Sequence, residues 1–580
     1  MRLALNLLFA AACALGLSRS VAHGASGRTV STIAALRELV PDADGVRVAG
    51  YRAPGDFGEP ETFRWTASSI EPDDGCTIIA PHGGRTGRWL LDRPSPLNIK
   101  ACGARGDGSD DTVALAAAIA LQVPLHCPAG TFVVSSITLA PGSTFDMTGN
   151  GDGSCILRHA KNATLSMLRS EISPAPVARF SVKGVSFDGN HVVSRKIAPI
   201  EIKADRYAIT GNEFYRTVNA AIIIQTTTIE GDIEHNRFHD MAVHDGVSGH
   251  DTSTVLILQR GPRNGPVRLV GNEVINPAPS KPGNSTGGFV VIGLPGHQQT
   301  VTIAGNTFDH IGQSVAGNIE GSIYLYQNAD GSRVEGNRIL HAVSYPISVQ
   351  RSNNVTIRNN VVDGEDAHPS PARDPVIRVG GRDPAIPLSH VEISGNVAKG
   401  LVHFGPCIDV EGDASALLSE VSLTDNVCEG MASGYFLRYA AGNIDLSRST
   451  FRNLNGTVAI GFGVEIRDAL APATITCNAM TFENLANNAI FIDDRTPRPM
   501  SVSCADGTVM NAGANGRAIT VNNVERFTLN RMHFSGTPSG AIEARANRHY
   551  EESDNIAPAG AVRLYGALTS VVSHGNSWNN

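Results

Sequence analysis

The chain has 580 residues, 42% hydrophobic and 6% aromatic, with 60 glycines, a composition that admits several ordinary domains or one large repetitive one. A formal net charge of -8 is small for that length and no long basic run accompanies it, which argues against nucleic acid as a partner. Past the first residues no apolar run reaches the roughly 20 residues of a membrane-spanning helix.

Residues 1–22 read as an export signal: Arg2, an apolar core from Leu3 to Leu17, then the small-residue site Ser20-Val21-Ala22. The mature chain is expected to be periplasmic or extracellular. Lipidation at Cys13 is the weaker alternative, because Ala10 rather than Leu stands three residues before it. Eight cysteines follow, an even number that permits disulfides in an oxidising compartment. Cys477 and Cys504 each stand five residues before an apolar repeat position, Phe482 and Val509. That shared register places them on neighbouring strands about 4.8 Å apart, within reach of a disulfide. Cys102 with Cys127 is a second expected pair.

Residues 23–97 are expected to form a small β-rich module. "SDDTVALAAAIA" then predicts one helix over 110–120, opened by Asp110 and Asp111, with Val113, Leu115, Ala116 and Ile119 apolar. From about residue 180 one phrase recurs, as in "ITGNEF", "LVGNEV", "IAGNTF" and "ISGNVA". Its asparagines, 212, 236, 272, 306, 337, 360, 396 and 426, lie 23 to 36 residues apart, and such a period signals a solenoid. Short segments alternate Ile or Val with polar residues, the period of a strand. The fold class expected is all-β, a right-handed parallel β-helix over 98–545. A propeller would need about 40 to 45 residues per blade. Asn once per coil suits a left-handed bend and an amide ladder. The helix is read as a lid over the open end of the solenoid, and 546–580 as a C-terminal cap or last imperfect coil.

The stretch "CGARGDGSDDTVALAAAIA", followed by "PLHCPAGTFVVSSITLAPGSTFDMTGNG", resembles the start of the pectate-lyase-superfamily β-helix of polysaccharide-active proteins and phage tailspikes. The residues upstream are similar to a small β-rich module that often precedes it. The resemblance implies a polysaccharide substrate, with calcium a frequent lyase cofactor and a homotrimer the oligomer that tailspikes form. It does not fix the chemistry, because hydrolases, lyases, epimerases and binders share the scaffold. The full set of Asn-x-Asp, Gly-His-Gly and Arg-x-Lys motifs of the polygalacturonase branch is missing, as is the Asp-Pro-His-Glu motif of alginate epimerases.

Aligning one strand per coil gives two outward columns. The first runs Tyr324, Ser348, Arg378, Asp409, Phe436, Ala459 and Phe491, and the second Tyr326, Gln350, Gly380, Glu411, Arg438, Gly461 and Asp493. Asp409 and Glu411, at i and i+2, share a face about 6.6 to 6.8 Å apart at the backbone, near the lower bound of about 6.5 Å for an inverting acid–base pair. Arg378 and Arg438 flank them and suit a uronate carboxylate. Tyr324 and Tyr326 are assigned to sugar stacking or proton relay, and Gln350 and His403 to substrate contacts. Lesser candidates are the cluster His244, Asp245, His250 and Asp251, the pair Asp493 and Asp494, and calcium near Asp413. The expected function is cleavage of glycosidic bonds in an acidic polysaccharide by an Asp/Glu pair, with no cofactor required. The alternatives are β-elimination, with or without calcium, and non-catalytic polysaccharide binding or surface assembly. Charged residues that merely pair across coils are the bland reading.

Overall fold

The computed structural model describes residues 28–579, apart from 42–44, 93–94, 172–174, 193–196, 219, 242–252, 260–263, 277–286, 295–298, 313–320, 328, 343–344, 365–373, 381–387, 402–404, 456–460, 470–471, 513–516, 538–541, 546–547, 559–561 and 566–569. The expected export signal, the His244, Asp245, His250 and Asp251 cluster and His403 lie outside the described residues. The chain divides into two compact units, one up to Arg93 and one from Pro94.

The first unit holds one five-stranded sheet, in the order Arg28–Val30, Gly45–Val48, Glu61–Thr66, Arg88–Leu91 and Ile78–Ile79. One short helix, Ile33–Glu38, starts where the Thr32 hydroxyl accepts from the Ala35 amide. Its buried Ile33 and Leu36, with Val46, Val48, Phe63 and Trp89, form the core of this unit.

The second unit is a right-handed parallel β-helix. A typical coil carries a strand on a first face, a strand on a second, a tight bend and a strand of three to five residues on a third. One coil reads Ile347–Gln350, Thr356–Arg358 and Val361–Asp363, and the next reads Ile377–Gly380, Leu388–Ser394 and Val397–Lys399. Each strand pairs in parallel with its equivalent one coil on: Ile347 with Ile377, Ile357 with Ile393, Val361 with Val397. The alternation seen in sequence is the burial pattern, since Ile347, Val349, Ile357 and Val362 all point into the coil and are buried. Phenylalanines stack along the interior, Phe187 on Phe214 at 4.8 Å and Phe214 on Phe238 at 5.0 Å. Parallel pairing continues to the end of the chain, where Ile556–Pro558 meets Ser577–Asn579.

The recurring asparagine forms a buried ladder. The Asn306 side-chain oxygen accepts from the Asn272 backbone amide at 2.8 Å and its side-chain amide at 3.0 Å, while its own amide donates to the Leu269 carbonyl and the Asn337 side chain, both at 2.9 Å. The pattern repeats through Asn212, Asn236, Asn337, Asn360 and Asn396, and after Asn426 the Ser449 hydroxyl takes over as acceptor. The left-handed bend, expected at Asn itself, falls one residue earlier. Gly211, His235, Gly271, Gly305, Gly336, Asn359, Gly395 and Asp425 have φ between 54° and 64°. The reason is that the preceding residue turns the chain while Asn keeps an extended backbone and aims its amide along the axis.

The N-terminal helix spans Thr112–Ala120 rather than starting at 110, because Asp107–Asp110 forms a strand paired with Gly130–Val134. The Asp111 side chain accepts from the Arg105 and Gly106 amides at 2.7 and 3.0 Å instead of capping the helix. Leu115 and Ala118 are buried, whereas Val113, expected on the apolar side, is 85% exposed. Cys477 pairs with Cys504, whose Cα atoms lie 4.5 Å apart on neighbouring strands. Cys127 pairs with Cys155 and not with Cys102: Cys127 stands between the strands Leu125–His126 and Gly130–Val134, and Cys155 opens the strand that pairs with Gly130–Val134 one coil on, so the bond ties two consecutive coils together. A further bond joins Cys407 to Cys428.

Candidate functional site on the first face

On the first face the outward columns follow the register expected up to residue 438. Tyr324 pairs with Ser348, Ser348 with Arg378, Arg378 with Asp409 and Asp409 with Phe436, while Tyr326 meets Gln350 and Glu411 meets Arg438. At the next coil the expected Ala459 and Gly461 are replaced by Glu465 and Arg467, which pair with Phe436 and Arg438 and then with Phe491 and Asp493. Two segments there alternate equally well in sequence, "VAIGFG" and "GVEIRD". The structure uses the second, Val464–Arg467, and Gly463 before it is packed so closely that a Cβ would lie 2.6 Å from the Ala489 carbonyl and the Phe482 ring.

These strands assemble a charged cluster. The Arg378 guanidinium lies 3.9 Å from Asp409 and 3.4 Å from Glu411. Arg438 lies 3.3 Å from the other Glu411 oxygen and 2.9 Å from Asp468, and Arg467 pairs with Glu465. Gly380 permits the close fit: its φ is +118° and a Cβ would fall 2.0 Å from the Glu411 carbonyl. Side chains of Arg378, Asp409 and Glu411 are 12–14% exposed, but Arg438 is 37% and Arg467 44% exposed. The cluster therefore has a protected base of ion pairs and two partly exposed arginines at its rim, each paired with a carboxylate. Phe436 is half-buried between the columns' carboxyl-bearing coils.

Environment separates the ionisable groups. Burial pushes the Glu465 carboxyl above the ordinary carboxylate range, and the opposing pull of Arg467 does not reverse it. The hydrogen bond to Asp468 raises Arg438 further above its ordinary value. Tyr345, just before the Ile347–Gln350 strand, is pushed up to about 12 by burial first and by the Asp374 charge second, and its hydroxyl bonds to Asp374 and Arg378. Glu465, Arg467, Tyr345, Asp374 and Asp468 were missed from sequence. The first two were lost to the one-coil slip, and the others lie in connecting segments that carry no alternation.

The remaining candidates divide. Tyr324, assigned to sugar stacking, is 2% exposed and packs with Ile223, Leu256 and Val290, so its ring is not presented to a ligand. The outward column is apolar on the coils before it, and that stretch is itself covered. Tyr326 is partly buried against the same cluster, with the Arg351 guanidinium 5.1 Å from its ring centre. Gln350 is buried. Asp413 accepts from the amide and hydroxyl of Ser415, both at 2.8 Å, closing a local turn. Among the described residues it belongs to no group of three or more His, Cys, Asp or Glu side chains close enough to share an ion. Asp493 accepts from Asn522 at 3.2 Å.

The second face of the same coils carries an open groove of about 730 Å³, bordered by Thr356, His390, Glu392, Glu420, Asn443 and Asp445. The residues come from successive coils in register, Thr356 beside Glu392 and Ser422 beside Asp445. The groove runs along the helix axis.

Residues 29–93 match the family described as "Phage tail protein small four-stranded beta-sheet domain". No curated protein matches the chain. Among solved structures, it is similar to WceF of Pantoea stewartii, described as a glycan biofilm modifying enzyme with a bacteriophage tailspike-like parallel β-helix fold (14% identity over 63% of this chain and 48% of that one, TM-score 0.38). It is also similar to pre-mature gene product 12 of bacteriophage phi29 (12% identity, 83% of this chain and 72% of that one, TM-score 0.44). A third likeness is to PfbA, a surface adhesin of Streptococcus pneumoniae (13% identity, 73% and 91%, TM-score 0.35). The chain matches about half the length of WceF. At these identities the likenesses assign no substrate and no catalytic residue to this chain.

Proposed function

We propose that this protein is exported and hydrolyses glycosidic bonds of an acidic polysaccharide on the first face of its β-helix. The observation that carries the reading is the placement of Glu465, a carboxyl held above its ordinary range, in one outward column with Asp409, which faces Arg378. A carboxyl that holds its proton above the ordinary range is what the general acid of a hydrolysis requires. Glu465, protonated, gives its proton to the departing glycosidic oxygen, and Asp409 takes a proton from the water that attacks the anomeric carbon from the other side. Two coils separate them, about 9.6 Å at the backbone, beside the upper limit of about 9.5 Å for inverting pairs. Phe436 between them offers an apolar ring face to a sugar. Protonation of Glu465 weakens its pairing with the partly exposed Arg467, which then suits a uronate carboxylate. Glu411, with an oxygen on each of two guanidiniums, positions Arg378 and Arg438 and is a weaker choice for proton transfer than the Asp409–Glu411 pairing suggested by spacing alone.

Elimination needs a base beside the sugar carboxylate, and the Tyr345 hydroxyl, raised rather than lowered, suits donation better than proton abstraction. A second reading, binding without cleavage, is favoured by the low exposure of Asp409 and Glu411. The deciding experiment incubates the purified protein with a panel of acidic bacterial and plant polysaccharides and follows both new reducing ends and the ultraviolet absorbance of an unsaturated uronate. Reducing ends without absorbance support hydrolysis. Absorbance moves the chemistry to elimination, and binding with neither signal supports the second reading.

A further inference from the structure

A different side-chain cluster stands on the third face. The strands Thr307–Asp309 and Arg338–Leu340 pair in register, Phe308 with Ile339 and Asp309 with Leu340. The residue after each strand lies in the left-handed region, His310 at φ +56° and His341 at φ +46°. Later coils fill this position with Gly400, Gly430, Asn453, Asn484 and Asn511, all at positive φ. Histidine is among the residues that tolerate that region, and because both coils bend alike, the two rings project in the same direction. They stack with centroids 4.4 Å apart and planes 16° from parallel. Both Nδ1 atoms face one oxygen of Asp309, at 2.9 Å from His310 and 2.6 Å from His341. Among the described residues this is the one group of three His, Cys, Asp or Glu side chains whose ligand atoms lie within 4.8 Å of one another.

We propose that Asp309, His310 and His341 form a binding site for a borderline divalent transition ion of the Zn²⁺ class. Two imidazoles and a carboxylate are the donor set that such ions take, with one or more positions left for water. With metal–nitrogen and metal–oxygen distances of about 2.0–2.2 Å, neighbouring donors of a tetrahedral site stand about 3.3 Å apart. To admit the ion the Asp309 carboxylate withdraws by roughly half an ångström and the two stacked rings rotate so that their in-plane Nδ1 lone pairs converge, for which the partial exposure of all three side chains leaves room. The imidazoles bind as neutral ligands through Nδ1: the proton that His341 shares with Asp309 moves to Nε2, and His310 takes the same tautomer, so no net proton is lost from the rings. The bound ion cross-links two consecutive coils and favours the folded chain. The site is separate in residues from the first-face cluster, so it stands or falls independently of the proposed hydrolysis.

The test uses full-length protein stripped with a chelator. Co²⁺ is titrated while its visible absorption is followed, and Zn²⁺ is titrated in competition with a chromophoric chelator. Saturable binding of a single ion is expected, with a rise in melting temperature on adding Zn²⁺. His310→Asn and His341→Asn place at the bend a residue that other coils already use, and each is expected to melt like the parent without metal but to lose about tenfold or more in affinity. Asp309→Asn is expected to weaken binding as well. Absence of saturable binding by the parent, or undiminished binding by the His310→Asn/His341→Asn double variant, overturns the proposal and leaves the cluster a hydrogen-bonded histidine stack.

Discussion

Glu465 stands in the same outward column as Asp409, two coils further along the axis, with Phe436 as the residue between them. This relationship carries the first prediction. Glu465→Gln is expected to lower hydrolysis by about 10²- to 10⁴-fold with an unchanged circular dichroism spectrum, and Asp409→Asn to do the same. Full activity in either variant, measured as reducing ends released, removes that residue from the mechanism.

The raised carboxyl of Glu465 also makes a stability prediction. A carboxyl whose folded value exceeds its unfolded one, about 4.3, contributes stability that is fully present below the unfolded value and lost as pH rises through the folded one. Glutamine does not ionise. Relative to the parent, Glu465→Gln is expected to gain melting temperature between pH 4 and pH 7.5, and thermal scans at those two values check the sign.

Tyr345 distinguishes hydrolysis from elimination. Its hydroxyl stays protonated throughout the neutral range and bonds to Asp374 and Arg378. Tyr345→Phe is expected to cost about 1.5–3 kcal/mol of positioning, the worth of a hydrogen bond to a charged group, or between roughly tenfold and a hundredfold in kcat/KM, with the pH profile unmoved. Complete loss of activity would instead mark Tyr345 as the proton-abstracting group.

The asparagine ladder is expected to be intolerant at its centre. Asn306→Ala leaves the Asn272 amide groups and the Leu269 carbonyl without their buried partner, at roughly 1–3 kcal/mol for each group left unsatisfied. A chemical-denaturation midpoint well below that of the parent is the expected result. A midpoint shift smaller than that of an exposed control such as Asn484→Ala would show that the ladder does not hold the coils together.

Much of this architecture was legible in sequence because it repeats. Alternating Ile and Val fixed which residues enter the coil, and the asparagine phrase fixed where each coil bends, although not that the bend falls on the residue before Asn. Single, non-repeated choices were hidden. "VAIGFG" and "GVEIRD" alternate alike, and only the pairing of Val464–Arg467 with the strands on either side picks out the second. The partner of Cys127 depends on how the bend of one coil stacks on the strand that opens in the next. Tyr345 and Asp374 meet only because two connecting segments run side by side, and no periodicity announces that. The burial of Tyr324 likewise follows from neighbours on three earlier coils.

The ladder gives the molecule a fixed ruler. Coil lengths vary from 23 to 36 residues between successive asparagines, yet every coil advances by the same strand spacing of about 4.8 Å, so all the variation is discharged sideways into the connections. Separations between outward side chains along the axis consequently come in whole steps, and lengthening a connection alters what overhangs a site without changing the distance between the residues that form it. Variants that graft a new connection onto one coil should therefore keep the Asp409-to-Glu465 spacing, and deletion of an entire coil between them should shorten it by one step.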